Sequence, residues 1–175
     1  MGDTKKSVLV TGASSGIGRA ICLRLAKDGF DVVVHYASNR EGADQTTSLI
    51  DEVSANSRTV QFDMADAEET RSVIEADISQ NGTYYGVVCN AGITRDGVFP
   101  ALSNEDWHRV IDVNLNGIFN VLNPIVLPMV RRRKPGRIVT ISSVSGLMGN
   151  HGQVNYSASK AGIIGATKAL ALDLA

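Results

Sequence analysis

Five short runs rich in β-branched residues alternate with helical patterns from one end of this 175-residue chain to the other. The runs are SVLVT (7–11), DVVVHY (31–36), RTVQF (58–62), GVVC (86–89) and RIVTIS (137–142). Each is apolar almost throughout rather than on alternate residues, the pattern of a strand covered on both faces. Helical patterns fill 16–28, 41–55, 67–80, 104–133 and 155–175. Parallel strands need a long crossover between them, and a helix supplies it. The order therefore predicts an α/β fold, a doubly wound parallel sheet with helices on both faces.

Local signals sharpen the helix boundaries. Ile17, Ile21 and Leu25 recur at i, i+4 and i+8, and Gly29 follows as a stop. Ser103 and Asp106 form a near capping box, with Asp in place of the usual Glu. Pro124 inside the fourth helix predicts a kink there.

Composition narrows the function. With 43% hydrophobic and 20% charged residues the chain reads as an ordinary globular domain. A net charge of −1 gives no general attraction to nucleic acid or anionic membrane. Cys22 and Cys89 lie in apolar runs without a CxxC pattern, so neither a metal site nor a disulfide framework is expected, and a reducing cytoplasm is. The first strand follows MGDTKK too closely for a signal peptide, and Lys6 stands where a myristoylation signal needs Ser or Thr. GIFNVLNPIVLPMV is interrupted by Asn120, Asn123, Pro124 and Pro128, and reads as too short and too polar to span a bilayer.

Five stretches carry chemistry. TGASSGIG (11–18) follows the first strand and opens a helix. Gly12 suits a tight turn, Gly16 a close approach to pyrophosphate, and Gly18 close helix–strand packing; Ser14, Ser15 and Ile17 lie between. The helix N-terminus would offer N–H groups and a positive dipole to the phosphates. After the second strand, where a ribose-binding carboxylate is usual, the chain instead has Ser38, Asn39 and Arg40. Those side chains suit a 2′-phosphate and point to NADP(H) rather than NAD. Asp63 and Met64 end the third strand, with Asp63 placed to accept from an adenine amino group. Asn90, Ala91 and Gly92 end the fourth, where ligands of such sheets bind. Ser142, Ser143 and Ser145 crowd the end of the fifth. Last, Tyr156 and Lys160 stand one helical turn apart among small residues, in NYSASKAG. A cation beside a phenol lowers its pKa and makes it a usable proton donor near neutral pH. Such a pair alone is common on helix surfaces, and one serine alone is commonly a turn residue.

Together these stretches resemble the short-chain dehydrogenase/reductase family, whose TGxxxGxG, NAG, helical Asn, Ser and YxxxK occur here in that order. The resemblance implies a Rossmann-type NAD(P)-binding domain over residues 1–175. It implies catalytic Asn114, Ser143, Tyr156 and Lys160, with Tyr156 and Lys160 also touching the cofactor. Within the family, AGITRDG, VNLNGIFNV and TKALALDLA look like the bacterial reductases of 3-oxoacyl-(acyl-carrier-protein). That likeness implies NADPH-dependent reduction of a 3-oxoacyl thioester. Tyr156 would act as acid, Lys160 would hold the ribose, Ser143 would bind the substrate oxygen and Asn114 would hold a relay water. It also implies an acyl carrier protein as partner, docking through Arg131, Arg132, Arg133 and Lys134, and a homo-oligomer formed through the fourth and fifth helices. Cations at a helix C-terminus are favourable without any partner. A short-chain dehydrogenase for another ketone, alcohol or sugar, and a nucleotide-binding fragment without turnover, remain open alternatives. The last helix is still running at Ala175, so the domain is expected to lack the family's C-terminal strands and to be a poor catalyst in this form.

Overall fold

The computed structural model describes residues 6–53 and 55–175; the expectations about the N-terminal signal fall largely on residues 1–5, outside them. Five strands form one sheet: β1 (Ser7–Val10), β2 (Asp31–Tyr36), β3 (Ser57–Gln61), β4 (Gly86–Cys89) and β5 (Arg137–Thr140). Their order is β3-β2-β1-β4-β5, and every pair is parallel. The chain winds outward from β1 to β3, then crosses back to β4 beside β1. This reversal opens a crevice at the carboxyl ends of β1 and β4, the place where such sheets bind ligands.

Seven α-helices are present among the described residues: α1 (Gly16–Lys27), α2 (Arg40–Asp51), α3 (Ala67–Asn81), α4 (Asn104–Ile111), α5 (Gly117–Arg131), α6 (Ser145–Met148) and α7 (Val154–Asp173). Side chains alternate across the strands and so divide between two cores. Val8, Val10, Val32 and Val34 join Cys22, Ala26 and Ile50 on the α1–α2 face. Leu9, Val33 and Val87 join Ile74, Val121, Ile125 and Ile163 on the other. Burial pushes both thiols, Cys22 and Cys89, up to about 12, which leaves them protonated and inert. β5 departs from the expected continuous burial. It forms one edge of the sheet, and Val139 is 47% exposed.

The helix ends follow their sequence signals. Gly29 takes φ +86°, its N–H reaches Ala26 O, and the Phe30 N–H reaches Leu25 O, closing α1 with a Schellman motif. Ser103 Oγ accepts the Asp106 N–H at 3.0 Å. Asp106, shorter by a methylene than Glu, turns its carboxylate to the Ser103 hydroxyl at 2.7 Å.

The α-helix continues through Pro124 and Pro128, and a π turn at Asp112–Asn116 precedes it. One expectation about this long helix needs correction. The helical stretch Asn104–Arg131 is longer than the apolar run alone suggested: its 28 residues are long and apolar enough to cross a membrane. Val110, Val121, Leu122 and Ile125 are nevertheless buried within this fold, the placement of a core helix.

One polar network sits at the opposite end of the sheet from the crevice. Asp77 takes both Arg58 Nε and a terminal nitrogen at 2.7 Å and the Tyr84 hydroxyl at 2.6 Å. Burial raises the Asp77 pKa, but Arg58 and Tyr84 outweigh it and hold the carboxyl below its ordinary range. The network ties α3 to β3 and to the start of β4.

Candidate active site

A cleft of about 640 Å³ opens over the carboxyl ends of the strands. Every expected cofactor residue lines it except Arg40, and Ser143, Tyr156 and Lys160 line it as well.

The glycine turn forms one wall. Gly12 and Gly16 take φ +63° and +52°, a region that side chains disfavour. A methyl group on Gly18 would strike the Gly12 carbonyl and come within 2.8 Å of Asn90 Nδ2. Thr11 Oγ1 accepts the N–H groups of Asn90 and Ala91, both at 3.0 Å, and Asn90 Nδ2 returns a bond to Thr11 O at 3.0 Å. Asn90 therefore spends its amide on binding the turn to β4. Ser15, at the N-cap of α1, makes no side-chain capping bond among the described residues. Ser15, Gly16, Ile17 and Gly18 line the cleft, so it opens on the start of a helix, as an anion site requires.

Sequence reasoning missed three side chains that shape this wall. Arg19 donates to Ser14 O at 2.6 Å, Gly42 O at 3.1 Å and Thr46 Oγ1 at 3.0 Å, bracing the turn against α2. A cation in the first turn of a helix opposes the dipole, and that was the available signal of a specific partner. His35 binds the turn from β2. Arg109 reaches from α4 to Asp63 Oδ2 at 2.8 Å.

At the far end of β2, Asn39 Oδ1 caps α2 by accepting the Gly42 N–H at 2.9 Å. Arg40 points along α2, with Nε 3.7 Å from Asp44 and a side chain 77% exposed. Asp63 is more committed than expected. Besides Arg109 it accepts the Ala65 N–H at 3.0 Å. Partial burial raises its pKa, but these two contacts outweigh that and draw it below the ordinary range.

Tyr156 and Lys160 project from α7. Lys160 Nζ lies 5.6 Å from the centre of the Tyr156 ring and donates to Ile141 O at 2.8 Å. Lys160 is only 3% exposed, and its burial lowers its pKa. Ser142 Oγ donates to Lys160 O at 2.8 Å, fixing the helix against the end of β5. Ser143 Oγ accepts the Ser145 N–H at 3.2 Å and also lines the cleft.

Asn114 is fully buried in the π turn, behind the cleft wall. Its Oδ1 takes the Ile93 N–H at 2.8 Å, while Nδ2 donates to Ile93 O at 3.0 Å and Ser159 Oγ at 3.2 Å. Ser159 Oγ in turn donates to Tyr156 O at 2.7 Å. The side chain of Asn114 thus clamps the Gly92 loop to α7.

The basic cluster lies far from this chemistry, at the end of α5 and before β5, where the strands begin. Arg132 donates to Tyr84 O at 3.0 Å and Pro135 O at 2.9 Å, and so is a structural brace. Arg131, Arg133 and Lys134 are exposed. Gly162 lies close against the Leu115 side chain, which a Cβ there would approach to 3.0 Å.

The family described as short chain dehydrogenase matches residues 6–175. The chain is 58% identical over 170 residues to a 3-oxoacyl-(acyl-carrier-protein) reductase of Aggregatibacter actinomycetemcomitans, covering 97% of this chain and 70% of that protein. To the reductase so named from Staphylococcus aureus strain Mu50 it is 45% identical, covering 97% and 69%. To that of Synechocystis it is 44% identical over 172 residues, covering 98% and 69%.

Proposed function

The chain belongs to the short-chain dehydrogenase family of oxidoreductases, and from that premise we propose that it reduces a 3-oxoacyl thioester on acyl carrier protein to the 3-hydroxyacyl thioester. The family uses a nicotinamide cofactor, and the residues fit one. The side-chain-free turn at Gly12 and Gly16 leaves room for a pyrophosphate, beside the uncapped start of α1. When bound, the reduced nicotinamide supplies the hydride to the ketone carbon and is left oxidised.

The protein's own part is to orient the ketone and to provide one proton. Tyr156 donates its phenolic proton to the ketone oxygen as charge develops there. Lys160, held by Ile141 O, keeps an ammonium beside the Tyr156 ring. Ser143 offers a hydroxyl to the same oxygen. Asn114 acts through its clamp on Ile93 and Ser159, which fixes the loop and the helix between which the ketone lies.

The cofactor is NADPH in this reading. Ser38 and Asn39 line the cleft without a carboxylate, and the loose Arg40–Asp44 contact of 3.7 Å lets Arg40 swing to a 2′-phosphate at little cost. Arg131, Arg133 and Lys134 remain free to meet an acidic carrier. They sit at the opposite end of the sheet from Tyr156, so a carrier bound there has the length of the sheet to span. We place the enzyme in the cytoplasm. Self-association through α5 and α7 is supported by Phe119, Leu127 and Val130, exposed by 67%, 52% and 55%. Sedimentation at micromolar concentration reads this last point.

The observation that carries the reading is the buried Lys160 ammonium beside the Tyr156 ring, on the floor of a cleft walled by the glycine turn. The test is single-turnover reduction of a 3-oxoacyl thioester, followed by absorbance of the reduced nicotinamide. Tyr156→Phe is expected to lose at least about 10²-fold in rate with unchanged NADPH affinity. Retained rate in that variant removes Tyr156 from the role of acid.

A further inference from the structure

His35 is 1% exposed, the penultimate residue of β2 before the cleft, beside the glycine turn. Its Nδ1 lies 3.1 Å from the Gly12 nitrogen, and its Nε2 lies 3.0 Å from Phe62 O. A carbonyl can only accept, so Nε2 carries the ring proton. Nδ1 then keeps the lone pair that the Gly12 N–H needs. The ring is packed on Phe62 with centroids 4.0 Å apart. The main-chain carbonyl of His35 accepts the next N–H of the turn, from Ala13, at 2.8 Å. Two successive amides of the turn therefore end on one residue.

This matters because Gly12 cannot fix itself. It takes φ +63°, and a side chain there would strike Ala91. A turn built from such residues takes its conformation from its neighbours. Thr11 and Asn90 hold it on the β4 side, and Arg19 holds Ser14 on the α2 side. On the β2 side a single imidazole lone pair holds Gly12.

We infer that His35 is a positioning residue for the cofactor: its Nδ1 fixes the Gly12 amide and so sets the shape of the turn that receives the pyrophosphate. The inference rests on the reading of the cleft as a dinucleotide site. His35 itself touches Gly12, Ala13 and Phe62 and acts through the turn.

Two substitutions separate positioning from mere stability. An Asn side chain reaches about as far as Nδ1, so His35→Asn keeps an acceptor for Gly12 and loses the bond to Phe62. A Gln side chain reaches toward Nε2, so His35→Gln keeps a donor for Phe62 and loses the acceptor. Each variant loses one buried hydrogen bond, so a purely structural role lowers the melting temperature of both and cofactor affinity alike.

The experiment titrates the full chain and both variants with NADPH by calorimetry, and follows amide hydrogen exchange at Gly12. His35→Gln is expected to weaken NADPH about tenfold and to speed exchange at Gly12, while His35→Asn stays within about threefold of the parent. Equal affinities in the two variants would overturn the inference. A parent chain that binds no NADPH overturns the dinucleotide reading instead. Exchange at Gly12 then decides for His35 separately, and equal protection in parent and His35→Gln refutes it. If a variant does not fold, the unaltered chain answers through the nitrogen–nitrogen scalar coupling across Gly12 N–H···Nδ1. The coupling is expected to persist with NADPH bound; its absence sinks the proposal.

Discussion

Acid should unfold this protein partly through His35. Burial pushes the imidazole from its ordinary 6.5 down to about 4, against the opposing pull of Phe62 O and Asp63. Protonation would also place a second N–H on Nδ1, facing the Gly12 N–H, so two donors would meet at 3.1 Å. Between these pKa values the unfolded chain binds a proton that the folded chain refuses, so stability falls as pH falls. The contribution is complete above the unfolded value and exhausted near the folded one. From the two values it amounts to about 2 kcal/mol lost by pH of about 5, and about 3 kcal/mol by pH of about 4. The assay is urea unfolding across that range, followed by Trp107 fluorescence, for the parent and for His35→Asn. Asn does not titrate, and the carboxylates are common to both chains, so the difference between the curves isolates the imidazole. The stability gap between parent and variant should shrink by about 3 kcal/mol from neutral pH to pH of about 4. Parallel curves would refute the reasoning and would mean that the folded imidazole accepts its proton without cost.

Three other outcomes are expected. Asp77→Asn removes the counter-charge of Arg58 and one of the two acceptor oxygens shared by Arg58 and the Tyr84 hydroxyl, and should cost about 3 kcal/mol in urea unfolding. NADPH affinity should be unchanged, because that network lies at the end of the sheet away from the cleft; a fall in affinity would count against this separation. Gly18→Ala drives a methyl group into the Gly12 carbonyl and should cost about 1–3 kcal/mol of stability together with a loss of NADPH affinity, and wild-type values for both would contradict the packing argument. Arg40→Ala should weaken NADPH about tenfold while sparing NADH, as titration calorimetry would read; equal loss for both cofactors would disconnect Arg40 from the 2′-phosphate.

The strand–helix alternation and most of the cleft were legible in the sequence because the signals are local. A β-branched run, a helix stop at Gly29 and a serine cap at Ser103 each act within a few residues. The sheet rule then carries the ends of β1, β2, β3 and β4 to one crevice, so Gly12, Ser38, Asp63 and Asn90 arrive there together. Helical spacing likewise puts Lys160 beside Tyr156. A π turn was not legible, since Asp112–Asn116 differs from α-helix by register rather than by composition.

What tertiary structure alone decided is which partner each polar group meets. His35 reaches Gly12 across 23 residues, and Thr11 meets Ala91 across 80. Asn114 finds Ile93 across 21 residues and Ser159 across 45, which makes its side chain a clamp between distant segments. The same holds for Arg132, one of four adjacent cations in sequence, which folding withdraws onto Tyr84 O while its neighbours stay exposed. Hydrogen bonds are short and directional, so their pairing depends on the final positions of distant segments. Hydrophobic periodicity is a property of the segment itself. The chain therefore declares its layers and its crevice in its own order, and the packing of those layers assigns the hydrogen bonds within them.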